Sequence, residues 1–175
     1  MTTPAAEIPT RPIHRIAKEQ LASTGFLLAR LGFAFKGKAI STFENAGFEL
    51  YDYGVLALLA EGARQTQSTI ADSLAVDPSR MVALLDSLER RQLIVRQRDA
   101  QDRRRHVVSI TPDGKRELAK LRGLIKRLEE EFFVPLDADR RKALHDLLLY
   151  LATEIDPRCA FAATTPALPD PPSST

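Results

Sequence analysis

A chain of 175 residues has room for one domain with tails, and 44% hydrophobic residues suffice for an ordinary soluble core. No stretch approaches the roughly 18 to 20 uninterrupted apolar residues of a membrane span, and the N-terminus MTTPAAEIPTRP lacks the basic-then-apolar layout of a signal peptide. A cytoplasmic protein without membrane attachment is therefore expected. The single cysteine, Cys159, and three scattered histidines (His14, His106, His145) offer neither an internal disulfide nor metal-ligand spacing, so no metal and no cofactor is expected.

The net charge of +2 conceals an uneven distribution. Between Glu89 and Arg105 stand seven arginines (90, 91, 96, 98, 103, 104 and 105) against only Glu89, Asp99 and Asp102. A local cationic cluster on a near-neutral chain points to a polyanion contact confined to one place, although a solvated loop would show the same charges.

Residues 1–12 hold three prolines and little apolar pattern, and 156–175 hold five more among Ala, Ser and Thr; both are expected to be disordered tails. From 13 to 46, apolar residues recur at helical intervals (Ile13, Ile16, Phe26, Leu27, Leu31, Phe35), which predicts one long helix that Gly25, Gly32 and Gly37 weaken or kink. Tyr51 to Ala60 is a second helix, closed at Glu61-Gly62 by a glycine suited to a left-handed cap. Phe33, Phe35, Phe43, Phe48, Tyr51 and Tyr53 either fill the core, which is the commoner use of aromatics at helical spacing, or line a pocket.

Thr66 can cap a short helix running to Leu74, and Asp77-Pro78 reads as N-cap and first position of another. This second helix has an inward stripe of Met81, Leu84, Leu85 and Leu88 and an opposite face of Arg80, Ala83, Ser87 and Arg91. Two short helices joined by a tight turn, the second small and basic outside, is the layout that lays a helix in the DNA major groove; an ordinary helical hairpin fits the same pattern. Leu93-Ile94-Val95 and His106–Ile110 read as two strands about the polar, basic stretch DAQDRRR, a hairpin with a cationic tip. A helix-turn-helix followed by such a hairpin is the winged variant, whose wing reaches along the backbone or into the minor groove.

Beyond Thr111-Pro112-Asp113-Gly114, the residues Leu118, Leu121, Ile125, Leu128 and Phe132 form a heptad seam. Pro135 breaks it, and Leu144, Leu147, Leu148, Leu151 and Ile155 mark a final helix after Asp137. The expected fold is mostly α with a small β-hairpin wing. A winged helix-turn-helix head at 50–111 stands between N- and C-terminal dimerisation helices, 13–46 and 113–155. The apolar faces of those helices need cover, either from a second copy of the chain or from an intrachain hairpin.

From about Leu21 to Ile155 the chain resembles the MarR-type (multiple antibiotic resistance) regulators. The wing carries the most specific part: the pattern Asp-x-Arg, three residues, Val-x-(Leu or Ile)-Thr is met by Asp102, Arg104, Val108, Ile110 and Thr111. Upstream, Gln67–Leu74, Asp77-Pro78-Ser79 and LLDSLERRQLI resemble the paired helices of that family. The resemblance implies a homodimer that binds a pseudo-palindromic double-stranded operator, usually as a repressor. It also implies that a small phenolic or other lipophilic effector, or an oxidant, releases DNA in many members. Oxidant-sensing members resemble one another in a cysteine near the N-terminal helices, whereas Cys159 falls in the expected tail.

The family often places Ser or Thr and then Arg or Lys where this chain has Val82, Ala83 and Ser87, so few polar side chains are left to reach bases. Arg80 is the lead candidate for a bidentate guanine contact, and Val82 or Ala83 for a thymine methyl, with Ser87 and Arg91 on the same face. Ser79 and Gln67 are expected at phosphates, and Arg103, Arg104 and Arg105 in the wing, where the minor groove lies within reach. Asp86 and Asp102 would repel DNA if they faced it; each is read instead as orienting a neighbouring arginine and supporting the wing.

No nucleophile motif, Walker loop or dinucleotide-binding glycine pattern is present, so an enzyme is not expected. The alternative is a winged-helix protein-interaction module without specific DNA binding.

Overall fold

In the computed structural model, residues 15–62, 65–98 and 106–164 are described; the expected N-terminal tail and the wing tip lie outside them. The elements run α1 (Lys18–Leu21), α2 (Thr24–Asn45), α3 (Leu50–Ala60), β1 (Gln65–Thr66), α4 (Gln67–Leu74), α5 (Pro78–Arg90), β2 (Ile94–Arg98), β3 (His106–Ile110), α6 (Pro112–Phe132), α7 (Ala138–Ile155) and α8 (Pro157–Thr164). The chain divides into two compact units, Met1–Gly37 and Lys38–Thr175.

The N-terminal helical run is not one piece. It breaks at Ala22-Ser23, where the Ser23 hydroxyl accepts the Phe26 N–H at 3.2 Å and so starts α2 afresh. A serine oxygen competes well for a backbone donor at a helix start, which the apolar periodicity alone does not register.

In the second unit, each local signal has a stereochemical counterpart. Gly62 takes φ +77° just after α3, a conformation that a Cβ disfavours. Thr66 and Thr69 cap α4 reciprocally: the Thr66 hydroxyl accepts the Thr69 N–H, and the Thr69 hydroxyl accepts the Thr66 N–H at 2.8 Å. Asp77 accepts the Ser79 N–H at 2.8 Å and caps α5, with Pro78 in the first turn where no N–H is lost. The connecting turn holds Ala75 in the left-handed region at φ 49°.

The sheet has three antiparallel strands in the order β1-β3-β2, one more than the sequence predicts. β2 and β3 pair with Ile94 opposite Ile110 and Arg98 opposite His106, and the two-residue β1 adds Gln65 opposite Val108. Two residues carry no readable period, so β1 left no trace in the pattern. The wing root is closed by Thr111: its N–H donates to Leu93 O, its hydroxyl donates to Gln92 O at 2.7 Å, and the Thr111 Oγ1 accepts the Gly114 N–H at 3.0 Å.

Phe43, Val55, Leu56, Ile70, Met81, Leu85, Leu88, Ile94, Val108, Leu118 and Leu121 are fully buried in one core. Leu118 and Leu121, the start of the expected seam, are thus covered by their own chain, since the first half of α6 packs on α3 and β3. The core also claims Phe43, which lies 5.7 Å from the Tyr53 ring, and Phe48. α7 differs: it buries no residue, and Leu147 (64% exposed), Tyr150 (62%) and Ile155 (78%) lie open.

The expected disorder from 156 onward is corrected over Pro157–Thr164, which is helical. Pro157 occupies a first helical position after Asp156, whose carboxylate accepts the Arg158 N–H at 2.9 Å, so this proline starts a helix instead of marking a tail. Arg158 also donates to the Asp72 carbonyl at 3.2 Å, tying α8 to the end of α4. No helix among the described residues is long and apolar enough to cross a membrane.

Candidate nucleic-acid interface

α4, the turn through Ala75 and α5 form the helix-turn-helix. Met81, Leu84, Leu85 and Leu88 are buried beneath α5, and on the outer side Ser79, Arg80, Val82 and Ala83 are exposed while Ser87 is half-buried. Gln67 lies half-buried at the start of α4. This phase follows from the four apolar residues: once they enter the core, a period of 3.6 leaves 79, 80, 83 and 87 outside.

The arginines divide by what holds them. Arg96 on β2 is drawn back onto α5: its Nε donates to Glu89 Oε2 at 2.9 Å, its backbone N–H donates to Glu89 Oε1 at 3.1 Å, and its guanidinium pairs with Asp86. The guanidinium holds Glu89 below the usual carboxylate range, and the two acids raise Arg96 in return. Arg96 therefore clamps the wing to the recognition helix, and its charge is spent inside the protein.

Arg91 closes α5 with its Cζ 3.9 Å over the Phe48 ring and its Nη1 3.6 Å from Asp52 Oδ2. Asp52 is only 3% exposed, and burial pushes its carboxyl up against the opposing pull of the Glu49 N–H and Arg91. Its Oδ1 has no hydrogen-bond partner among the described residues, which leaves Arg91 as the main counter-charge. Arg91 is thus engaged on one side by its own chain, while 35% of its side chain stays open to a ligand.

Arg80 is the most open of the three: its Nη2 lies 3.3 Å from Glu49 Oε2 and its Cζ 4.7 Å over the Tyr51 ring, with 55% of the side chain exposed. Ser79 is less free than exposure suggests. Both its N–H and its hydroxyl donate to Asp77, which holds that carboxyl below its usual range, so a phosphate contact requires the hydroxyl to leave Asp77. Asp102, Arg103, Arg104 and Arg105 lie outside the described residues.

Sequence reasoning gave Phe48 and Tyr51 only as core or pocket residues and missed Glu49 and Asp52; from the start of α3 and the two residues before it, these four meet the two ends of α5. Glu49 is 31 residues from Arg80, and no periodicity links positions so far apart. Among the described residues no cluster of three or more His, Cys, Asp or Glu could hold a metal ion.

A model of the MarR family matches residues 50–106, which is the head from α3 to the first residue of β3. A Thauera aromatica protein named for transcriptional regulation of the hcr operon is 30% identical over 132 residues, covering 71% of this chain and 80% of that one. The transcriptional repressor CouR bound to a 23-mer DNA duplex superposes with a TM-score of 0.71 at 29% identity, covering 80% of this chain and 99% of that one. CouR of Rhodococcus jostii RHA1 bound to p-coumaroyl-CoA gives a TM-score of 0.64 at 26% identity, covering 78% and 96%. A MarR-family regulator from Rhodococcus sp. RHA1 gives 0.64 at 28% identity, covering 73% and 92%.

Proposed function

The chain belongs to the MarR family of transcriptional regulators, and from that membership and the outer face of α5 we propose that it is a homodimeric repressor reading a pseudo-palindromic operator. The observation that carries the reading is the helix itself. α5 is capped at Asp77, buried along one stripe, and shows Arg80, Val82 and Ala83 to solvent beside a sheet whose hairpin leads into the arginine-rich tip. A relative at 29% identity has been solved on a DNA duplex, which supports the same use of this surface.

In this reading Arg80 donates two N–H groups to guanine O6 and N7, while Val82 or Ala83 meets a thymine methyl. Gln67, Ser79, Ser87 and the open edge of Arg91 serve the phosphate backbone, and Arg103, Arg104 and Arg105 follow it into the minor groove. Asp86 holds Arg96 and so fixes the wing against α5, and Asp102 has the equivalent duty at the tip. The apolar surface of α7 is covered by a second copy, which places two heads on half-sites about one helical turn apart. The p-coumaroyl-CoA complex of CouR supports an effector with an aromatic acyl group, carried there as a CoA ester.

The deciding experiment is selection of bound duplexes from a random pool, with and without p-coumaroyl-CoA. A palindromic consensus is expected, and no enrichment would sink the DNA reading in favour of a protein-docking head. On the recovered duplex, Arg80→Ala should cost roughly 1–3 kcal/mol and relax preference at one base position, whereas Arg104→Ala should weaken all sequences alike. Unchanged preference in Arg80→Ala would show that another residue reads the bases.

A further inference from the structure

Arg80 is already occupied before any DNA arrives. Glu49 and Tyr51, at the N-cap and first turn of α3, hold its guanidinium from two sides: a single-point contact of 3.3 Å to the carboxylate and a ring face 4.7 Å below Cζ. We propose that Glu49 and Tyr51 are specificity-determining residues that act through Arg80, setting the pose in which it meets a base. This rests on the assignment of Arg80 to base reading made above.

Three observations support it. The Glu49 contact uses only Nη2, so most of the five guanidinium N–H donors, including those needed for a two-pronged guanine contact, remain available. Side-chain exposures of 55% for Arg80 and 59% for Glu49 make this a screened surface pair that adds little to folding, so its consequence lies in orientation. The same segment engages the two arginines to different depths: Arg91 lies over Phe48 and 3.6 Å from the buried Asp52 with 35% of its side chain exposed, while Arg80 meets the exposed Glu49 and stays 55% open.

The physical effect is selective. An untethered arginine on a flexible stem can swing to a phosphate, which carries no sequence information, as readily as to a base edge. A carboxylate beside the guanidinium opposes the phosphate pose, because it repels the polyanion and draws the head group toward α3. The ring beneath restricts the remaining rotamers, so less freedom is lost when the base contact forms. Glu49 should therefore lower affinity for DNA in general and raise discrimination between bases.

The test runs parallel random-pool selections on the full chain for wild type, Glu49→Gln, Tyr51→Leu, Arg80→Ala and the Glu49→Gln/Arg80→Ala double variant. Affinities are then measured for the consensus duplex, single-base variants and a scrambled duplex, and melting temperatures serve as a fold check. Glu49→Gln should bind the scrambled duplex more tightly yet lose about fivefold discrimination at the base position that Arg80→Ala identifies. Tyr51→Leu should lose discrimination there without the gain on scrambled DNA, and the double variant should discriminate no worse than Arg80→Ala alone. If Arg80→Ala relaxes the preference while Glu49→Gln leaves it unchanged or sharper, the positioning role is overturned and Arg80 still reads. If Arg80→Ala leaves the preference intact, the base-reading assignment falls and takes this inference with it.

Discussion

At the level of single residues, the wing root is the least forgiving place in the molecule. A Cβ on Gly114 would stand 2.1 Å from the Leu93 carbonyl oxygen and 2.8 Å from Ile110 Cγ1. Neither a backbone carbonyl between α5 and β2 nor a half-buried isoleucine can step aside cheaply. Gly114→Ala is expected to cost on the order of 3 kcal/mol, the upper range for overpacking, read as a lower urea midpoint at unchanged m value. An unshifted midpoint would show that the wing root yields. Gly114 was visible in the sequence as part of Thr111-Pro112-Asp113-Gly114, but the reason for it was not, because the atom it avoids belongs to Leu93. Asp52 makes the same point from the other side: an acid in a helical run reads as solvated, and only the packed structure shows it 3% exposed with Arg91 across from it.

At the level of elements, caps are where sequence and structure agree in detail. Asp77 terminates the turn after α4 because its carboxylate accepts the otherwise orphaned Ser79 N–H, and the proline after it has no N–H to satisfy. Its folded value lies below the ordinary 3.8, so the stabilisation is fully present above that value and lost as pH falls through the lower folded one. Asp77→Ala should accordingly melt several degrees lower at neutral pH, and the gap from wild type should close as the solution is acidified below about pH 4. A gap independent of pH would mean that the carboxylate charge does not contribute. The elements that escaped notice are those without a local signal or with a misleading one. β1 is two residues long, the α1–α2 break turns on one serine hydroxyl, and Pro157 shares the composition of a proline-rich tail although it begins α8.

For the whole molecule, open apolar surface is what a monomer leaves unexplained: α2 exposes Leu31 at 56% and Phe33 at 78%, and α7 exposes Leu147 at 64% and Leu151 at 46%. Placing a glutamate at each of these two α7 positions should shift the protein toward monomer in light scattering without loss of helical content. It should also weaken binding to a two-half-site duplex far more than to one half-site. A dimer that survives both substitutions would move the interface elsewhere. Operator affinity should fall log-linearly with salt at a slope set by the number of phosphates neutralised, and a shallow slope would argue for a docking head instead.

The existence of α3 to α7, the inward stripe of α5, the three N-caps at Thr66, Asp77 and Asp137 and the hairpin strands were decided by the sequence alone, because each depends on neighbours within four residues or on a period of 2 or 3.6. The tertiary structure alone decided which cation answers which acid. It drew Arg96 inward to Asp86 and Glu89, set Arg91 beside Asp52, steadied Arg80 with Glu49 and Tyr51, and turned Leu118 and Leu121 from a supposed seam into core. Periodicity shows that a face is apolar or charged, but what covers it is chosen by elements thirty residues or a second molecule away.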